Sequence, residues 1–367
     1  MIIITGPTSS GKTSLAIKLA KEFNVELVSA DSRQIYKYMD IGTGKKPVDL
    51  AESQYKTGDK FWQVEGVKIH MYDVVLPNEE YSSFQYATEA KSIIGKIKTP
   101  IIVGGTGFYI DSLVSESLDF RVTPDTETRN ILSKKSIEEL VKMIPQDYLN
   151  TWNNSEKNNP TRLIRAIQIH NKTGEWPSKS KKAIDPSQSN LVIELTAPRE
   201  FLYARVDKWT EKIWNPLLSE VENLKKIGYE NTEPMNGIIY KTAKQFLNGE
   251  ISEDKALELI KFDLHGYIRR QQTWFKKYKH SVKIDISESS FDMLLFARVK
   301  SYKMDDKQLI ISLRTILLFL GTLIGLWVFW LIRDVVLIFF ISLILALTLE
   351  PFVEWLDNRK IPRPISV

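Results

Sequence analysis

An α/β fold, a parallel sheet covered by helices, is what this sequence predicts, and three observations predict it. Short β-branched runs at Met1 to Thr5, Val25 to Ala30 and Ile101 to Val103 alternate with helical patterns, as in a parallel sheet with helices on both faces. The first run passes into Gly6-Pro7-Thr8-Ser9-Ser10-Gly11-Lys12-Thr13 and then into the amphipathic Leu15-Ala16-Ile17-Lys18-Leu19-Ala20. Strand, glycine-bearing turn and helix in that order are the setting of a phosphate-binding loop, so the core reads as P-loop NTPase-like. Third, a polar, basic stretch interrupts the alternation and an apolar tail follows it, which adds a helical insertion domain and a C-terminal transmembrane helical hairpin.

The elements justify themselves in chain order. In the loop, glycines let backbone N–H groups turn onto phosphate oxygens, and the helix beginning near Thr13 aims its positive end at them. Lys12 reaches a terminal phosphate as a point charge, and the Thr13 hydroxyl is placed to ligate Mg2+. Gly6, Pro7, Thr8, Ser9, Ser10, Gly11, Lys12 and Thr13 are therefore the candidate diphosphate or nucleotide site. The run Val28-Ser29-Ala30-Asp31-Ser32-Arg33-Gln34-Ile35-Tyr36 puts Asp31 just beyond the second strand, at the sheet edge where open α/β folds bind ligands. A carboxylate there can take a proton or hold Mg2+ through water; alternatively it caps a helix.

From Thr123 to Asp185 the chain turns polar, helical and basic, punctuated by Pro145, Pro160 and Pro177. Leu191-Val192-Ile193-Glu194-Leu195 then returns as a strand, helices fill Pro198 to Tyr278, and a last strand is expected at Val282 to Ile286. The resulting division is residues 1–122 and 186–302 for the core, 123–185 for the insertion and 303–367 for the tail. The chain of 367 residues has a net charge of +5 and no cysteine, which excludes disulfides, thiolate metal sites and cysteine nucleophiles. Lys157, Arg162, Arg165, Lys172 and Lys179 surround Trp176, and Arg269, Arg270, Lys276 and Lys277 surround Trp274 and Phe275. Cations with interleaved rings suit phosphates and unstacked bases; solvated helix faces are the plainer reading.

In the tail, Thr315 to Ile332 is an uncharged stretch of about 18 residues, long enough to be a membrane-span candidate. Arg333-Asp334 interrupts it, and Val335 to Leu349 adds about 15 more apolar residues. Basic residues on both flanks fit a hairpin with both ends in the cytoplasm. A single buried or interfacial helical segment and one long kinked helix are the alternatives.

Several segments together resemble the tRNA dimethylallyltransferase (IPP transferase) family over about residues 1–300. They are Gly6 to Thr13, Asp31 to Tyr36, Met39-Asp40-Ile41-Gly42-Thr43-Gly44-Lys45, Val103-Gly104-Gly105-Thr106-Gly107-Phe108-Tyr109, Asn159-Pro160-Thr161-Arg162-Leu163-Ile164-Arg165-Ala166 and Arg270-Gln271-Gln272-Thr273-Trp274-Phe275. The resemblance implies transfer of a dimethylallyl group from dimethylallyl diphosphate to N6 of adenosine 37, beside the tRNA anticodon, with Mg2+. It implies Asp31 as general base, with Lys12, Thr13 and Thr106 beside it. Ser32, Arg33, Gln34, Arg129, Thr161, Arg162, Arg165, Arg269, Arg270, Gln271 and Trp274 would contact the tRNA anticodon stem-loop, and His70 matches a recurrent family histidine. A cytoplasmic catalytic part, acting as a monomer and tethered to a membrane by its tail, is the expectation.

Two positions depart from the family pattern. Thr161 stands where glutamine is usual, and Trp209 stands where the family carries a second arginine after Arg205, so either Lys208 or Lys212 substitutes or activity is weaker. Gly237-Ile238-Ile239-Tyr240-Lys241 also differs from the usual Gly-Tyr-Lys. Residues 307–367 resemble instead the start of the AI-2E-type transporter family, through Leu345-Ala346-Leu347-Thr348-Leu349-Glu350-Pro351 and Ile361-Pro362-Arg363. Two rival readings follow: a P-loop small-metabolite kinase, or a membrane or transporter fragment fused to a degenerate enzyme.

Overall fold

The computed structural model describes residues 1–47, 51–114, 122–177, 190–288 and, in the tail, 321–351 except 323 and 329. The chain divides into two compact units, Met1–Phe296 and Ala297–Val367. The first unit is mixed α/β around a central sheet of eight strands.

Six parallel strands make the body of that sheet. These are β1 (Ile2–Thr5), β2 (Leu27–Ser29), β5 (Val67–His70), β6 (Ile101–Gly104), β7 (Leu191–Thr196) and β8 (Val282–Asp285). The spatial order is β3-β4-β5-β2-β6-β1-β7-β8, in which β3 (Tyr55–Gly58) and β4 (Phe61–Val64) form an antiparallel meander with β5. Each expected strand is present, because a run such as Ile2-Ile3-Ile4, buried on both faces, has no polar side to offer water. The meander is an addition to the sequence reading. Its signal is a two-residue turn at Glu65 and Gly66, with φ of 50° and 84°, between alternating strands.

Central placement of β1 and β6 matters for function. The order β2-β6-β1 sets three neighbouring parallel strands side by side, so the loops leaving their carboxyl ends are neighbours too. These are Gly6–Gly11 after β1, Asp31–Arg33 after β2 and Gly105–Thr106 after β6. Helix α1 (Lys12–Phe23) starts from Gly11, whose φ of 78° is left-handed backbone that favours glycine, and it buries Leu15, Ala16, Leu19 and Ala20 on the sheet. Helices α2 (Ser83–Ile94) and α3 (Gly107–Val114) follow. Ser82 and Gln85 close a capping box on α2, which fixes where that helix begins.

The polar stretch is helical, as α4 (Thr126–Leu132), α5 (Ile137–Lys142), α6 (Gln146–Leu149), α7 (Asn154–Lys157) and α8 (Pro160–Thr173). Leu132, Leu140, Leu149, Leu163, Ile164 and Ile167 form its own apolar cluster. Trp176 packs on the edge of that cluster, its ring stacked 4.1 Å from His170 and tilted 5.3 Å from Tyr148. After β7 come α9 (Arg199–Lys226), α10 (Ile238–Leu247) and α11 (Glu253–Phe275), which pack on one another.

The second unit corrects the hairpin. Helix α12 (Trp330–Pro351) runs unbroken through Arg333 and Asp334, so the charged pair is no turn. Neither residue is glycine or proline, and neither removes an i→i−4 hydrogen bond, so two charges mark the helix surface without ending it. The helix is 22 residues long with mean hydropathy 2.4, and none of its apolar window is buried. Residues 307–320 and 352–367, which include Ile361-Pro362-Arg363, lie outside the described residues.

Candidate active site

The loops after β1 and β2, with Val103 and Gly104 at the end of β6, line one cavity of about 1050 Å³. Lys12, Thr13 and Arg205 border it on one side and Asp31, Ser32 and Arg33 on the other. Lys12 Nζ donates to the Pro7 carbonyl at 3.1 Å. Burial lowers its pKa to about 8, against the opposing pull of the Asp31 carboxylate. Ser9, at φ 64°, turns its carbonyl toward α9, where it accepts from Arg205 Nε at 2.9 Å. The Ser10 N–H donates to the Pro7 carbonyl, and the Ser10 hydroxyl is buried with no partner among the described residues. A half-buried lysine, an arginine and the N-terminus of α1 converge there, which is a donor set for a polyanion.

On the opposite side, Asp31 Oδ1 accepts from the Arg33 N–H at 3.0 Å, and among the described residues Oδ2 accepts no hydrogen bond. The Asp31 carboxylate is not an N-cap, since no helix follows it. Its field is felt by Lys12, Tyr72, Tyr109 and Tyr267, the last of which burial and Asp31 together push up to about 12. Thr106 stands behind this turn. Its Oγ1 accepts from the Ser32 N–H at 3.0 Å and lies 3.3 Å from Ser32 Oγ, and its own N–H donates to the Ala30 carbonyl.

The remaining candidates separate by environment. Arg33 lies 3.7 Å from Glu233 and lines the cavity, as does Arg270. Gln34 is buried, accepting from Ser29 Oγ at 2.9 Å and donating to the Thr43 carbonyl at 3.3 Å, so it braces the loop at 40–44. Arg129, Thr161, Arg162 and Arg165 are away from the cavity wall. Arg162, exposed on α8, pairs with Glu156 at 2.7 Å, whereas Arg165 reaches back to the Val122 carbonyl at 2.6 Å. Arg269 donates to Tyr203 OH at 3.1 Å. Trp274 stands edge-on to Phe108 with Lys277 Nζ 3.9 Å above its ring. His70 pairs with Glu26 at 2.5 Å on β5.

Trp209 lines the cavity next to Gly44, one turn beyond Arg205 on α9. Of the two lysines expected to replace the missing guanidinium, Lys212 is on the wall and Lys208 is not. The sequence reading passed over Glu220. Its carboxylate accepts from the N–H groups of Asp40, Ile41 and Gly42 at 2.7, 2.8 and 3.3 Å and from Tyr240 OH at 2.6 Å. Burial pushes that carboxyl up while these donors pull it back. A glutamate in the middle of a long helix carries no local signal for such a role.

Fold and site define an α/β protein with a polyanion cradle facing a carboxylate across one cavity. Comparison with known proteins makes this specific. The family model "IPP transferase" matches residues 34–278 and the model "Isopentenyl transferase" matches residues 1–57. A tRNA dimethylallyltransferase of Pseudothermotoga lettingae is 37% identical over 300 residues, covering 79% of this chain and 91% of its own. The crystal structure of a tRNA delta(2)-isopentenylpyrophosphate transferase from Staphylococcus epidermidis superposes with a TM-score of 0.57 at 30% identity, covering 83% of this chain and 98% of that one. A eukaryotic dimethylallyltransferase acting on tRNA shares the fold, with a TM-score of 0.63 at 23% identity, covering 84% of this chain and 79% of that one. This chain belongs to the IPP transferase family. Membership removes the metabolite-kinase reading.

Proposed function

We infer that this chain is a tRNA prenyltransferase that moves a dimethylallyl group from dimethylallyl diphosphate to N6 of adenosine 37 in tRNA. The observation that carries the reading is the single cavity with Lys12, Thr13 and Arg205 on one side and Asp31 with Ser32 on the other. The N6 lone pair attacks C1 of the dimethylallyl group, the C1–oxygen bond breaks, and its electron pair leaves with the diphosphate. Lys12, Arg205 and the loop N–H groups stabilise the charge that develops on the leaving group, so the P-loop-type turn serves a departing diphosphate. Asp31 holds the amine and takes its proton; a neutral exocyclic amine is a weak nucleophile, so placement counts as much as basicity.

Among the described residues no three acidic or histidine side chains cluster as a metal site. An oxygen set of the Thr13 hydroxyl, diphosphate oxygens and water still suits Mg2+, which would be held there and would neutralise leaving-group charge. Adenosine 37 must leave the anticodon stack to reach the cavity. Ser32, Arg33 and Arg270 are the residues placed to meet it, and Arg129, Thr161 and Arg162 belong to the surface that receives the stem-loop backbone. The catalytic unit acts as a monomer, and the exposed apolar helix α12 tethers it to a bilayer. Asp31→Asn tests the mechanism: donor and RNA dissociation constants should stay near wild type while single-turnover transfer drops about a thousandfold. Transfer at the wild-type rate would remove Asp31 as the base.

A further inference from the structure

Gln271 on α11 is 5% exposed, although its neighbours Arg269 and Arg270 face solvent. Its Oε1 accepts from the Thr8 N–H at 2.8 Å and from the Thr8 hydroxyl at 3.2 Å. Its Nε2 donates to the Gly105 carbonyl at 3.0 Å. Thr8 belongs to the loop that ends in Lys12, and Gly105 belongs to the turn that carries Thr106. One side chain from a third element therefore joins the loop after β1 to the turn after β6. The contact needs glycine at 105, where a Cβ would fall 2.5 Å from Gln271 Nε2 and 3.3 Å from Lys12 Cε. It also needs an amide. Acceptor and donor ends are both used, a carboxylate would face the Gly105 carbonyl with like charge, and asparagine is one methylene too short.

We propose that Gln271 is a positioning residue for transfer, setting the spacing between the donor-holding loop at Thr8 to Thr13 and the Gly105–Thr106 turn, and that it does not contact RNA. This rests on the prenyl-transfer reading. The Gly105–Thr106 turn grips Ser32 and thereby the Asp31 side, so the bridge runs from leaving group to base. The end of α11 is itself pinned to α3: the Tyr278 hydroxyl donates to Asp111 at 2.7 Å, and Lys277 pairs with the same carboxylate. Misplacing two reacting groups by about 1 Å costs on the order of 100-fold in rate, so a spacer of this kind acts on the chemical step.

The test uses the full chain in detergent, dimethylallyl diphosphate, and an anticodon stem-loop with adenosine at positions 36, 37 and 38. In Gln271→Glu and Gln271→Asn, single-turnover transfer at saturating donor and RNA should fall by about tenfold or more. The RNA dissociation constant and its salt slope should stay within about twofold of wild type. A weakened RNA affinity, with or without a slower rate, makes Gln271 an RNA contact and overturns the proposal. An unchanged saturated rate in both variants overturns it too. Should the variants fail to fold, amide exchange at Thr8 in the wild-type chain decides. Protection that persists when the stem-loop is added supports the bridge, and loss of protection on adding it overturns it. If wild type forms no product, the transfer reading fails by itself, and the Thr8 exchange still judges whether Gln271 bridges the loops.

Discussion

Lys12 is where the electrostatics of the site turn into a measurable pH effect. Burial lowers its pKa to about 8, so above that value the ligand-free protein holds a neutral amine where a diphosphate needs an ammonium. The value of kcat/KM for dimethylallyl diphosphate is therefore expected to be level below the inflection and to fall by about tenfold per pH unit well above it. A profile flat to pH 10 would show that Lys12 stays charged. Trp209 offers a second reading at this scale. Trp209→Arg adds a guanidinium to the wall already carrying Arg205, and KM for the donor should drop by about tenfold. A raised KM would mean that the indole itself packs on the donor. Sequence exposed Lys12, Thr13, Asp31 and Ser32 because each stands at a set distance past a strand end. It exposed Gln271 and Trp274 but not their partners, which long-range packing sets: Gln271 meets Thr8 across 263 positions.

Elements differ in how they use similar charges. On α8 the exposed Arg162 and the inward-reaching Arg165 are three residues apart and looked equivalent in sequence. The structure gives Arg165 the Val122 carbonyl, which anchors the start of the helical stretch. Arg162→Ala should weaken stem-loop binding severalfold and reduce the salt slope by about one, as measured by titration at several salt concentrations. Arg165→Ala should instead lower the melting temperature. On α9, Glu220 holds the turn at 40–42 against Tyr240. Removing it in Glu220→Ala leaves part-buried N–H groups unpaired, and equilibrium denaturation should register a loss on the order of 2 kcal/mol. The parallel strands were legible because apolar β-branched runs admit little else. The β3–β5 meander was not, because short alternating strands such as Phe61 to Val64 bury one face only and read much like a surface loop.

At the scale of the whole molecule, the chain joins a compact α/β enzyme unit to a long apolar helix. The apolar tail was legible from composition alone, whereas the unbroken run of the helix through Arg333 and Asp334 was not. Two charges in a row look like a break on paper, yet a helix carries them on its surface at no cost to its backbone hydrogen bonds. The full chain should sediment with liposomes and resist alkaline extraction, while a chain ending at residue 296 should stay in solution with an unchanged transfer rate. Release of the full chain by alkali would remove the tether.

The most direct measurement is single-turnover transfer by the full chain, with dimethylallyl diphosphate, Mg2+ and the stem-loop, followed by nuclease digestion and mass spectrometry of the nucleosides. We predict one N6-(dimethylallyl)adenosine at position 37 and one diphosphate released per transfer. Diphosphate released without a modified nucleoside, or neither product from a folded chain that binds both substrates, would contradict the account.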